Sequence, residues 1–284
     1  MYLRLEKYHR PETVEAALRL LEDGGGKAAL LGGGTDLNVH GHEHLVEVID
    51  LQALGLGGIS REGDVLRLGA SLTLGQLRRA AELEGEHFTA LRQAAAAFAV
   101  KGIQNRATLG GRIMVDRADQ DLPPALAALG ARLVLRRLSG GAVVEETLDY
   151  PLGDARAALE GALLVAVLLP VAPGASALRR FGRSAVDRPL MSVAAAVSGE
   201  TVRIAANLQG PGAADLKRFE LTEQLAAAWL AARPADWRDQ ARGSLLIEAA
   251  AFEDPWASGE YRKDLCATLA LRALAAVLGE EEVA

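Results

Sequence analysis

Residues 30–45 read LLGGGTDLNVHGHEHL. An apolar run ends in Gly32, Gly33 and Gly34, followed by Thr35 and Asp36. Glycine lets the backbone approach a ligand and adopt positive φ, so successive N–H groups can converge on an anion. Thr35 adds a hydroxyl donor. The same residues also make a strand-terminating turn, with Thr-Asp capping a short helix. A few positions on, His40, His42 and His44 alternate. In an extended strand they would share one face, and imidazole suits Zn, Ni or Cu. With no fourth ligand assignable, solvated histidines in a connecting loop are the preferred reading. The stretch matches neither G-x-G-x-x-G nor G-x-x-x-x-G-K-[ST], so the two standard nucleotide-binding folds receive no support.

Outward from this loop, the flanking segments define a small α/β unit. Pro11-Glu12-Thr13 reads as a helix start, and Gly24 to Gly26 as its stop. KAALL reads as a short buried strand and HLVEVIDL as a second one. From residue 58 the texture changes. GISREGDVLRLGA is a hairpin turning at Glu62-Gly63-Asp64, and LRRLSGGAVVEETL another turning at Gly140-Gly141. LTLGQLRRAAEL and FTALRQAAAAFA have helical periodicity; KGIQNRATLGGRI reads as a polar, glycine-rich connection. That connection repeats the chemistry of the first loop: Thr108, Leu109, Gly110 and Gly111, followed by Arg112. Two such loops suit a diphosphate held from both sides. Asp121, before Leu122-Pro123-Pro124, is either a helix N-cap or an acceptor for ribose or ring donors. GALLVAVLLP is a buried strand, and VAPGAS reads as a linker. Beyond it come three strands of an antiparallel sheet, of which the alanine-rich MSVAAAV is also compatible with a helix, and then helices to the end.

Composition narrows the function. The chain has 284 residues, a net charge of -6 and 4% aromatics, which argues against nucleic acid as a partner. Its 1 cysteine can form neither an internal disulfide nor an all-cysteine iron–sulfur site. The longest apolar run, ALEGALLVAVLLPVA, is too short to span a bilayer, and the N-terminus lacks a signal-peptide segment, so a cytoplasmic location is expected.

Several motifs in order resemble the FAD-binding subunit of the molybdenum hydroxylases, as in xanthine dehydrogenase and the carbon monoxide dehydrogenase medium subunit. YHRPETVEAALRLL, LLGGGTDL, IQNRATLGGRI, DLPPALAALGARLVL, FGRSAVDRPLMSVAAAV and SGEYRKDLCATLALRAL each resemble a family stretch, almost end to end. The resemblance implies an α+β fold. A two-subdomain FAD-binding domain of the PCMH type would span 1–172, with subdomains about 1–56 and 57–172. A C-terminal domain of a small antiparallel sheet with packed helices would span 176–284. It implies FAD as cofactor, lined by Gly32, Gly33, Gly34, Thr35 and Asp36 in the first loop. Thr108, Leu109, Gly110, Gly111 and Arg112 would line the second, with Asp121 near the cofactor and Arg179 where some members place a basic residue. It implies electron relay from a two-iron two-sulfur small subunit, beside a molybdenum-cofactor large subunit, to NAD+ or another acceptor. No acid–base pair and no metal site are expected in this chain. The alternative is a cofactor-free scaffold or assembly protein of the same fold. The departures fall at the pocket: Gly32 where Ala is usual, Gln104 for Arg, Arg112 for Asn, and Arg117-Ala118 for Ser-Pro.

Overall fold

The computed structural model describes residues 5–40, 43–115, 120–151, 157–184, 187–208, 216–249 and 253–280, with the side chains of Asn38 and His40 left out. In chain order the first elements are β1 (Lys7–His9), α1 (Val14–Asp23), β2 (Ala28–Leu31), α2 (Leu37–His40), β3 (Glu47–Asp50), β4 (Ile59–Glu62), β5 (Val65–Gly69) and α3 (Leu74–Arg79). Then come α4 (Thr89–Ala97), α5 (Lys101–Gln104), α6 (Leu109–Met114), α7 (Leu122–Ala128), β6 (Arg132–Ser139), β7 (Ala142–Asp149) and β8 (Leu163–Pro170). The last are β9 (Gly174–Phe181), β10 (Met191–Ser198), β11 (Thr201–Asn207), β12 (Leu216–Arg218), α8 (Glu220–Trp229), α9 (Trp237–Glu248) and α10 (Gly259–Val277). The chain forms two compact units: residues 1–77, 100–115 and 132–169 in one, and 78–99, 116–131 and 170–284 in the other.

The first unit holds two sheets. A three-stranded sheet has the order β1-β3-β2, with β3 parallel to both neighbours. α1 starts as its sequence asks: the Thr13 hydroxyl accepts the Ala16 N–H at 3.2 Å, capping an orphan donor. The helix stops at Gly24, and Gly25 and Gly26 follow with φ of 53° and 82°. Its inward face puts Ala17 beside Ala28 and Ile49, and Leu18 into a second cluster with Val134, Leu163 and Val165. Burying an Ile, Leu or Val side chain of this kind stabilises by about 1.5–3 kcal/mol. β2 is only half covered, with Ala28 alone fully buried, whereas β3 in the sheet centre carries the buried Val48 and Ile49.

The second sheet of this unit has five strands in the order β4-β5-β8-β6-β7. Both anticipated hairpins form. Gly140 and Gly141, at φ of 59° and 81°, supply the consecutive left-handed residues that a tight two-residue turn requires. β8 sits between β5 and β6 and is buried along most of its length, which explains its unbroken apolar run.

The second unit is a four-stranded antiparallel sheet, β12-β11-β10-β9, covered by helices. Met191, Val193 and Ala195 of β10 face a core shared with α8, α9 and α10. Ser192, on the opposite face, bonds to Asp121 at the head of α7. The MSVAAAV run is therefore a strand rather than a helix. With both faces covered, small side chains are wanted on both sides, so the polar alternation that marks a one-sided strand is missing. VAPGAS is less of a linker than its composition suggests, because β9 already begins at Gly174. Arg262, in the first turns of α10, is 1% exposed and pairs with Asp254 at 2.7 Å; an internal ion pair accounts for that family position.

Candidate functional site

Both glycine loops belong to the first unit, and they meet. A Cβ on Gly33 would lie 1.7 Å from the Arg106 carbonyl oxygen, and one on Gly32 would lie 2.7 Å from the Thr108 hydroxyl. At Gly33 only glycine permits this approach, because the obstacle is backbone; at Gly32 it is the end of a side chain. Gly34 adds a φ of 71°, a left-handed conformation that strains other residues.

The second loop is not an open connection. It is folded into two short helices, α5 and α6. Thr108 caps α6, its hydroxyl accepting the Gly111 N–H at 3.1 Å. The other donors of this turn are also used within the protein. Leu109 N–H donates to Leu72 O at 2.7 Å, Gly110 N–H to Ala70 O at 2.8 Å, and Arg112 N–H to Thr108 O at 3.0 Å. Thr73 and Thr108 are bridged as well. A segment whose glycine content promised free N–H groups has spent them on the β5–α3 connection. The first loop differs. Among the described residues, the N–H groups of Gly33, Gly34 and Thr35, all half-buried residues, donate to no protein acceptor.

A cleft of about 100 Å³ opens where these loops meet. Gly32, Thr108, Gly110 and Gly111 form one part of its wall, and Met114 follows one turn along α6. Leu30, Leu51, Leu163 and Leu164 make the apolar part, and Ala70 and Ser71 close it. Apolar with a few polar groups, a cleft of this size has the character of part of a ligand site and would take one portion of a larger ligand. Leu109 and Arg112 are buried and do not line it, and of the first loop Gly32 does while Gly33, Gly34, Thr35 and Asp36 do not. The fit to a dinucleotide rests on three features of this chain. They are the glycine cradle, the spare donors of the first loop, and the apolar wall opposite.

Asp121 lies in the second unit. It heads α7 without capping it through its side chain. Instead it accepts the Ser192 hydroxyl and the Arg180 Nε–H, the latter at 3.2 Å. Burial pushes its carboxyl above the ordinary range, opposed by Ser192 and the Arg180 guanidinium. Asn207 extends this network by donating to Gln120 O and accepting the Ser192 N–H at 3.0 Å. Arg179 is half-buried, its guanidinium on the Leu178 carbonyl at 2.9 Å. Arg117 and Ala118 lie outside the described residues, as do His42 and the His40 side chain. The backbone at His40 is helical rather than extended, and His44 is exposed.

The cleft residues that sequence reasoning missed are Leu30, Leu51, Ala70, Ser71, Met114, Leu163 and Leu164. Leu163 and Leu164 read as ordinary core of a buried strand, and nothing local to them signals a ligand.

Paired glycine loops beside an apolar cleft, in a unit of one parallel and one larger sheet, are features of a cofactor-binding protein. The chain belongs to the family described as the FAD binding domain in molybdopterin dehydrogenase, whose model matches residues 3–172. FAD is its cofactor. It is 31% identical over 173 residues to the carbon monoxide dehydrogenase medium chain of Afipia carboxidovorans, covering 58% of this chain and 59% of that one. It is 31% identical over 198 residues to the xanthine dehydrogenase FAD-binding subunit of Escherichia coli O157:H7, covering 66% and 67%. The chain spans about half to two thirds of the length of the curated relatives it matches. Among solved structures, carbon monoxide dehydrogenase from Hydrogenophaga pseudoflava matches at 25% identity and a TM-score of 0.84, covering 98% of this chain and 99% of that one. No helix among the described residues is long and apolar enough to cross a membrane.

Proposed function

We propose that this chain relays electrons within a larger assembly, in which a large subunit carries a molybdenum cofactor and a small subunit carries two-iron two-sulfur clusters. When bound, FAD supplies the redox chemistry, taking electrons from such clusters and passing them to NAD+ or another acceptor. The observation that carries this reading is the spare set of donors at Gly33, Gly34 and Thr35 beside the glycine-walled cleft. These N–H groups would hold the diphosphate, since converging backbone donors stabilise an anion without a charged side chain. Gly32, Gly110 and Gly111 would let the cofactor approach the backbone, and Thr108 would offer its hydroxyl. Asp36 follows the donor loop and its carbonyl accepts the Val39 N–H at 2.9 Å, tying the loop to α2. Leu109 and Arg112 would support α6 from its buried side rather than touch the cofactor. Asp121, which the family resemblance assigns to the cofactor, is taken up by Ser192 and Arg180 within the second unit.

The clusters must come from a partner in this reading. Cys266 is fully buried, and burial pushes its thiol up to about 12, far from the thiolate that a metal requires. That the relatives are named as a medium chain and an FAD-binding subunit supports a hetero-oligomer.

The test is FAD titration of the purified protein, followed by NADH. Stoichiometric yellow complex is expected, with bleaching by NADH if nicotinamide is the acceptor. A protein that stays colourless with FAD but co-purifies with a large subunit would establish the scaffold reading instead.

A further inference from the structure

We propose that Ser71 is a cofactor-binding residue: its hydroxyl donates to an oxygen of the bound FAD, a phosphate or polyol oxygen. This rests on the FAD reading above and adds a contact from a segment outside both glycine loops. Ser71 lines the cleft together with Gly32, Thr108, Gly110 and Gly111. Its hydroxyl has no partner among the described residues. The ordinary task of a serine before a helix is already taken. Thr73 caps α3, its hydroxyl accepting the Gln76 N–H at 3.2 Å while Gln76 Oε1 accepts the Thr73 N–H at 2.8 Å. Ser71 is therefore not needed to start that helix.

The backbone around it is pinned in every direction. Ser71 N–H donates to Leu56 O at 2.8 Å, Ala70 N–H to Val165 O at 3.0 Å and Leu72 N–H to Gly69 O at 3.0 Å. The carbonyls of Ala70 and Leu72, on either side, receive the Gly110 and Leu109 N–H groups. The hydroxyl thus sits on a fixed platform, tied to the very turn that carries Gly110 and Gly111. Ser71 and Thr108 are the polar side chains of a wall that is otherwise glycine, alanine, leucine and methionine. Thr108 Oγ1 already accepts from Gly111. In such a setting a hydroxyl donor is worth more than on the open surface, because the cofactor would displace the water that otherwise satisfies it.

The experiment is FAD titration of the full chain and of Ser71→Ala, read by flavin fluorescence, with the melting temperature of both apo-proteins and competition by ADP. The expected result is FAD affinity about tenfold weaker in Ser71→Ala with an unchanged apo melting temperature, as loss of one hydrogen bond to a phosphate or hydroxyl predicts. An ADP affinity that falls in parallel places the contact on the ADP half of FAD, and one that does not places it on the ribityl chain; either supports the proposal. Equal FAD affinity in the two proteins overturns it. So does a lowered apo melting temperature that accounts for the loss. If the unsubstituted protein binds no FAD at all, the underlying reading fails, and this one with it.

Discussion

The two glycine loops are built from the same residue types and do opposite things with their backbone. In GGGTD, residues 32–36, Gly32 and Gly33 press against Thr108 and Arg106, while among the described residues three N–H groups have no protein acceptor. In TLGG, residues 108–111, the N–H groups of Leu109, Gly110 and Gly111 are spent on Leu72, Ala70 and Thr108, and what remains is a wall of glycine backbone beside the Thr108 side chain. One loop offers donors and the other offers room. Glycine content alone does not distinguish these uses, because it licenses close approach whether the partner is a ligand or the protein itself.

The strongest way to break this comparison is at Gly33. A Cβ there meets the Arg106 carbonyl at 1.7 Å, and backbone cannot swing aside. Gly33→Ala should cost about 3 kcal/mol and roughly 6–12 °C in Tm, with FAD binding lost. A thermal melt and a flavin titration check both. Gly110→Ala meets Ala70 at 2.9 Å and should cost about 2 kcal/mol by denaturant titration. Gly111→Ala meets only the Thr108 hydroxyl at 2.8 Å, the end of a side chain that can rotate, and should cost distinctly less. Amide exchange sharpens the contrast directly. In the apo-protein, Leu109 and Gly110 should exchange slowly and Gly33 to Thr35 fast; FAD should slow the first loop by about tenfold or more and leave the second nearly unchanged. Uniform protection of both loops would refute the division of labour. Thr108→Ala removes the cap of α6 and should cost about 1 kcal/mol.

The smallest expected effect lies outside the loops. His87 is 8% exposed, with Nε2 3.0 Å from the Pro170 carbonyl and a buried Nδ1 that has no partner among the described residues. Burial lowers its pKa below the ordinary 6.5, with the Pro170 contact opposing. The unfolded chain then binds the proton first as pH falls. His87 therefore contributes stability above 6.5 that is lost as pH drops from there towards the folded value. Comparing His87→Gln with the unsubstituted protein across that window should flatten the pH dependence of Tm.

Much of the fold was legible locally. The capped start of α1, its glycine stop, both hairpin turns and the apolar run of β8 each follow from short-range rules, and each forms as expected. The second loop was misread for a physical reason. Its helical turns, α5 and α6, are too short to show a period and are held by Leu72 and Ala70 from a segment more than thirty residues away. MSVAAAV was ambiguous because a strand covered on both faces loses its alternation. Of the residues expected at the site, Gly32, Thr108, Gly110 and Gly111 line the cleft, whereas its leucines carry no local signal.

By itself, then, the sequence determined the family, the cofactor and the positions of both glycine loops, since each is written in contiguous motifs. The tertiary structure decided which backbone donors remain available. Availability is a matter of what other segments take up: among the described residues, the β5–α3 connection consumes the second loop's N–H groups and leaves those of Gly33 to Thr35, and it sets Ser71 in the cleft with Gly32.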